Sequence, residues 1–188
     1  MKAESDGTRP GTAAAADTAR LFFAAWPSPE VQRALHAVAQ RARRECGGRP
    51  VAEPNIHLTL IFLGEVERAR LRELEAIAGE INGSACDLVV EHLAYWRHNG
   101  ILWAGVDRCP DALRELVEAL SAGLLTFRLR LDDRPYVPHI TLLRKVRRGP
   151  AVAAIPAIAW PVHDFALIES APSAGGRTYS VLRSWPLS

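Results

Sequence analysis

The sequence predicts a duplicated α+β fold: two pseudo-symmetric lobes of β-α-β units, with mostly antiparallel sheets, facing a central cleft. Three observations predict it. The first is an internal repeat, in which strand-like LFFAAW, a helix, a loop and HLTL are followed later by ILWAGV, a helix, a loop and HITL. From Phe23 to His57 is 34 positions (57 − 23), and from Trp103 to His139 is 36 (139 − 103). Two units with one element order and nearly one spacing imply a pseudo-two-fold axis, which sets their equivalent strands side by side. The second is the His-x-Thr-Leu pattern closing each unit, which brings two histidines face to face across one cleft. The third is Asn99-Gly100 between two strand-like runs, a hairpin signal that favours antiparallel pairing.

Each element has a local reason. Arg20–Trp26 is a short apolar run suited to a buried strand. Ser28, Pro29 and Glu30 supply an N-cap, a proline at the first helical position and an acidic first turn. Val31, Leu35, Val38 and Ala42 follow at helical spacing, and Gly47-Gly48 ends the helix. A loop through Pro50 and Pro54 leads to a strand at His57–Leu63. Leu71, Leu74, Ala78 and Ile81 mark the buried face of a second helix, stopped by Asn82-Gly83. Residues 86–97 and 100–107 read as the hairpin strands. Pro110 opens a third helix with Leu113, Leu116, Val117, Leu120 and Leu124 on one face. The loop Asp132–Pro138 precedes a strand at His139–Lys145, and strands near 161–169 and 177–184 flank a turn at Gly175-Gly176. Residues 1–19 mix charged and small residues and read as a disordered tail, which leaves 20–188 as one bilobal domain.

Composition narrows the function classes. With 188 residues, 48% hydrophobic and 23% charged, the chain can bury a sizeable core. A net charge of +2 suits an anionic ligand without demanding one. Cys46, Cys86 and Cys109 are odd in number, widely spaced and free of any CxxC or zinc-ligand pattern, which points to a reducing, cytoplasmic setting. The apolar run Ala13–Ala16 is too short for a signal segment, and no later stretch is long enough for a membrane span.

His57-Leu58-Thr59-Leu60 and His139-Ile140-Thr141-Leu142 carry the chemistry. Six His and seven Thr in 188 residues predict only ~0.2 chance occurrences of His-x-Thr. One such motif is adequately explained as a half-buried strand with a satisfied core histidine; two at matching places in a repeat are not. Strand alternation puts His and Thr on one face, so that Leu58, Leu60 and Phe62 pack on helices while His57 and Thr59 look into the cleft. Opening a cyclic phosphodiester needs water activated on one side of phosphorus and a proton delivered to the departing ribose oxygen on the other. Imidazoles titrate near neutrality and serve both ends. The Thr59 and Thr141 hydroxyls are placed to donate to the charge growing on the non-bridging oxygens.

NIHLTLIFLGEV and YVPHITLLR resemble the two HxTx motifs of the two-histidine (2H) phosphoesterase superfamily. RLFFAAWPSPEV and ALIESAPSAGGRTYSVLRSWPL are similar to the first strand and C-terminal hairpin of its RNA 2′,3′-cyclic phosphodiesterases, also called 2′-5′ RNA ligases. The resemblance covers about residues 20–187 and implies two α+β lobes around a V-shaped cleft. It also implies His57 as proton donor and His139 as proton acceptor. The expected reaction is metal-independent hydrolysis of an RNA or nucleotide 2′,3′-cyclic phosphate to a 2′-phosphomonoester, reversible as 2′-5′ ligation. The expected partners are RNA 3′ ends or small cyclic nucleotides, with no cofactor, metal or membrane, and a monomer. One departure stands out: relatives commonly carry Trp a few residues after an Arg before the first motif, whereas here Arg49 is followed by Pro50.

Arg144 matches the arginine of an HxTLxR continuation, yet strict alternation from His139 points it away from the cleft, so its use as a phosphate ligand requires a bulge or a strand end. Tyr136 is a candidate for stacking on a base, with core packing the competing reading. Arg144, Lys145, Arg147 and Arg148 form a basic run past which an RNA backbone can run, or a solvated loop. Arg41, Arg43 and Arg44 are explained by the helix dipole. Two rivals remain: another 2H activity, such as cyclic ADP-ribose phosphate hydrolysis or RNA 3′-end trimming, and a non-catalytic RNA-binding module.

Overall fold

The computed structural model describes residues 17–125, 127, 131, 134–174 and 176–188. Expectations for residues 1–16, for Asp132 and for Gly175 lie outside the described residues. In chain order the elements are β1 (Thr18–Ala25), α1 (Pro29–Cys46), β2 (Arg49–Pro50), β3 (Leu58–Glu67), α2 (Leu71–Gly79), β4 (Cys86–Trp96) and β5 (Ile101–Gly105). They continue with α3 (Asp111–Leu125), β6 (His139–Arg144), β7 (Ala154–Val162), β8 (Asp164–Ser173) and β9 (Gly176–Pro186). Among the described residues every strand pair is antiparallel, in a four-stranded sheet ordered β3-β1-β8-β9 and a five-stranded sheet ordered β2-β6-β5-β4-β7.

The duplication is visible in the sheet order. β3-β1-β8-β9 and β6-β5-β4-β7 are the same arrangement, with each His-x-Thr strand paired to the strand that opens its unit. The ladders correct the sequence match by one residue: Thr59 pairs with Ala24 and Thr141 with Trp103, so Ala24, not Phe23, is the counterpart of Trp103. Helices α1 and α3 cross between lobes. α1, which follows β1 in sequence, packs on β2, β6 and β7 of the opposite sheet, and α3, which follows β5, packs on β3, while α2 stays with its own sheet on β9. One apolar cluster therefore runs through both lobes, from Leu21, Phe23 and Leu58 to Leu102, Leu120 and Ile140.

The helix ends follow their sequence signals. Ser28 Oγ accepts from the Val31 amide at 3.3 Å, and Gly47, at φ 69°, closes α1 with its amide on the Arg43 carbonyl. Gly48 has a structural reason of its own. At φ +86°, a Cβ there would lie 2.8 Å from the Arg144 carbonyl oxygen and 2.8 Å from Val146 Cγ2, so only glycine lets β2 lie against the end of β6.

Several boundaries differ from expectation. β1 begins at Thr18, inside the segment read as tail, and β3 runs on to Glu67. α2 stops at Gly79, so Ile81 is held by a tightened last turn, with its amide on the Ala78 carbonyl at 3.3 Å, rather than by the helix. The β4–β5 turn spans four residues, Arg97–Gly100, because Gly100 docks on the Val146 amide instead of closing a two-residue loop. The sequence does not announce β7 as a separate strand. Its Pro156 and Pro161 read as breakers, and a strand with two missing donors is tolerated at the sheet edge, where β7 lies.

Candidate active site

His57 sits one residue before β3 and His139 is the first residue of β6, and the two are held alike. His57 Nδ1 lies 2.7 Å from the Asn55 carbonyl and His139 Nδ1 lies 2.9 Å from the Val137 carbonyl, each two residues upstream. A carbonyl only accepts, so each Nδ1 carries the proton and each Nε2 is left for chemistry. At His57 that nitrogen is 3.1 Å from Thr59 Oγ1. His57, Thr59, His139 and Thr141 all line one cleft of about 600 Å³.

Aromatic rings fix both imidazoles. Trp26 stacks on His57 at 5.1 Å and 7°, with Phe22 at 5.0 Å and Tyr179 edge-on at 5.1 Å. Trp96 meets the His139 ring edge-on at 4.6 Å and Trp103 does so at 6.1 Å. These rings come from β1, the residue after β1, β4, β5 and β9. Sequence patterning does not reveal their role, because no local pattern reports which distant strands converge.

The environment keeps both imidazoles neutral. Burial pushes His57 down to about 4; the bond to Asn55 works against this, and the Arg144 guanidinium and His139 add to it. Burial likewise lowers His139, with Arg144 and Arg134 adding and the Val137 carbonyl opposing. An anion held between them favours the charged form and opposes that depression.

Matching bulges aim the rest of the site. Phe23 pairs with Ile61 and Ala24 with Thr59, so Leu60 is an extra residue on β3. Leu102 pairs with Leu143 and Trp103 with Thr141, so Leu142 is the extra residue on β6. Each bulge buries two consecutive residues and resets the alternation. Arg144 is thereby returned to the cleft, as its use as a ligand requires. The same reset corrects the expectation for Phe62: it does not pack on a helix but lines the cleft, 46% exposed, with the Arg20 guanidinium 4.6 Å over its ring.

Five cationic side chains line the cleft, Arg20, Arg49, Arg144, Lys145 and Arg177, and among the described residues no carboxylate does. Only Arg144 and the run around it stand out in the sequence. Asn55 also lines the wall, its side-chain amide donating to the Arg177 carbonyl at 2.9 Å. Tyr136 is a correction. It is absent from the cleft wall, and its hydroxyl donates to the Thr59 carbonyl at 3.2 Å, tying the segment before β6 to β3 across the lobes. Burial holds that hydroxyl well above the usual phenol range, so it remains a donor. Among the described residues no three His, Cys, Asp or Glu side chains converge, and no helix is long and apolar enough to cross a membrane.

Paired imidazoles bound alike through Nδ1, hydroxyls two residues on and a cationic wall are the arrangement expected of a phosphoesterase of the two-histidine class. Residues 26–103 match the LigT-like phosphoesterase family model. The chain is 33% identical over 171 residues to the RNA 2′,3′-cyclic phosphodiesterase of Escherichia coli K12, covering 89% of this chain and 96% of that protein. It is 31% identical over 179 residues to the protein of the same name from Thermus thermophilus, covering 89% and 90%. The crystal structure of E. coli LigT complexed with 3′-AMP superposes with a TM-score of 0.82 at 31% identity, over 92% of this chain and 99% of that one. The chain belongs to the LigT-like phosphoesterases of the 2H superfamily.

Proposed function

We propose that this protein hydrolyses 2′,3′-cyclic phosphates on RNA ends and nucleotides to 2′-phosphomonoesters, in the cytoplasm, with His57 and His139 as acid and base and no metal. The observation that carries the reading is the mirrored pair of imidazoles, each pinned through Nδ1 to a backbone carbonyl and offering Nε2 to one cleft. The names of its relatives and the nucleotide bound by one of them support the substrate class.

Water attacks phosphorus in line with the P–O3′ bond. His139 Nε2 takes the proton from the water as the new P–O bond forms, and His57 gives its proton to O3′ as that bond breaks. Thr59, Thr141 and Arg144 donate to the non-bridging oxygens, where charge grows. Proton exchange with solvent then resets the pair. Burial, with Arg144 and His139 adding to it, disfavours protonation of His57. Its role as donor therefore requires the anionic phosphate to raise it on binding. With a ribose 5′-hydroxyl in place of water as the nucleophile, the same in-line displacement of O3′ joins RNA ends 2′-5′.

The test is phosphorus NMR of 2′,3′-cyclic AMP turnover in EDTA, against 2′-AMP and 3′-AMP standards. A 2′-monophosphate formed at an undiminished rate is expected. A 3′-monophosphate would reverse the assigned ribose orientation, and activity that EDTA abolishes and metal restores would overturn the two-imidazole mechanism.

A further inference from the structure

Beyond the cleft wall, the five-stranded sheet ends in a ledge that the reaction on a mononucleotide does not use. Trp96 closes β4 opposite Ile101, half-buried, with its ring 4.6 Å from that of His139 and 5.2 Å from that of Trp103. The turn that follows carries exposed Arg97 and His98, the latter's ring 6.5 Å from Trp96. This turn is held rigidly against the basic run after β6. The Val146 amide donates to the Gly100 carbonyl at 2.9 Å, the Tyr95 hydroxyl donates to the Val146 carbonyl at 3.0 Å, and Lys145 takes φ 58°.

The cations of this ledge are unneutralised. Arg97, Lys145 and Arg147 are exposed and make no ion pair or side-chain hydrogen bond among the described residues. Arg148, next in sequence, is occupied instead by the Glu45 carbonyl at 2.9 Å. Lys145 also lines the cleft, so the ledge begins where the cleft ends. An aromatic ring beside a reacting imidazole, flanked by free cations on a braced turn, has the form of a single-stranded nucleic-acid track: bases stack on the ring and phosphates follow the charges.

We propose that the β4–β5 turn and residues 145–147 bind the RNA strand 5′ of the terminal nucleotide, which makes an oligoribonucleotide end, not a mononucleotide, the preferred substrate. The inference rests on the cyclic phosphodiesterase reading above. A trinucleotide bearing a 2′,3′-cyclic phosphate should then show a kcat/KM at least 10-fold above that of 2′,3′-cyclic AMP in low salt. In the double variant Arg97→Ala/Arg147→Ala, turnover of 2′,3′-cyclic AMP should stay within two-fold of wild type while most of the trinucleotide advantage disappears. Each lost phosphate contact should also make the negative slope of log(kcat/KM) against log[salt] shallower by about 0.7 for a single strand. The ratio of trinucleotide to mononucleotide kcat/KM should fall in Trp96→Leu and survive in Trp96→Phe, whose ring still stacks. Equal kcat/KM for the two substrates, or a double variant that alters both or neither, would overturn the ledge while leaving the phosphodiesterase reading intact. Failure to hydrolyse either substrate would instead overturn that reading, and the ledge with it.

Discussion

His57 illustrates how one residue is prepared by its surroundings. Its Nδ1–H is committed to the Asn55 carbonyl, Trp26 covers one face, and burial holds it neutral. The depression has a consequence for folding. Between the ordinary value of 6.5 and the folded value of about 4 the unfolded chain binds more protons than the folded one. The contribution of this group is therefore intact above pH 6.5 and declines as pH falls through that window, by roughly 3 kcal/mol in total. Denaturant midpoints at pH 7 and pH 4.5 measure the decline, which should be smaller in His57→Gln, whose side chain does not titrate. Equal declines in the two proteins would show that His57 is not held neutral by the fold. The histidine and threonine identities were legible because their types and spacing are rare together. The rings around them were not, since Trp26, Tyr179, Trp96 and Trp103 are brought in by pairings between segments far apart in sequence.

Among the elements, the two bulged strands matter most. The extra residues, Leu60 and Leu142, are apolar and would suit either face, so nothing in the sequence announces the step that returns Arg144 and Phe62 to the cleft. Strict alternation misplaced Phe62 for this reason and left Arg144 open. The helix caps, by contrast, were legible, because Ser28, Pro29 and Gly47-Gly48 act through local backbone chemistry alone. β7 is not legible in the sequence because its prolines are breakers except at an edge. The junction of β2 with β6 is the sensitive point of this layer. Gly47→Ala meets no atom within 4 Å and should cost only the backbone strain of φ 69° and ψ −153°, a region nearly reserved for glycine, roughly 1–3 kcal/mol. Gly48→Ala adds contacts at 2.8 Å with the Arg144 carbonyl and Val146, and should cost more and displace the end of β6 that carries Arg144. Thermal unfolding should place Gly48→Ala at least several degrees below Gly47→Ala, with a raised KM for cyclic nucleotide. Equal melting temperatures would mean that β2 yields without disturbing β6.

For the molecule as a whole, duplication is the organising fact. The repeat was readable because each unit keeps its order of strand, helix, loop and His-x-Thr strand. The exchange of helices between lobes was not, because apolar faces show what is buried and not which sheet buries it. That exchange joins both lobes through one core and so fixes the relation of His57 to His139, on which the proposed in-line transfer depends. The central claim is that the two imidazoles act as one acid–base unit. Its most direct test is turnover of 2′,3′-cyclic AMP by His57→Ala, His139→Ala and the double variant, each shown to be folded by circular dichroism. Groups that act as a unit are not additive, so each single variant should lose about 10²-fold or more, and the double variant should be little worse than either. Near-normal turnover in either folded single variant, or losses that simply multiply in the double, would contradict the account.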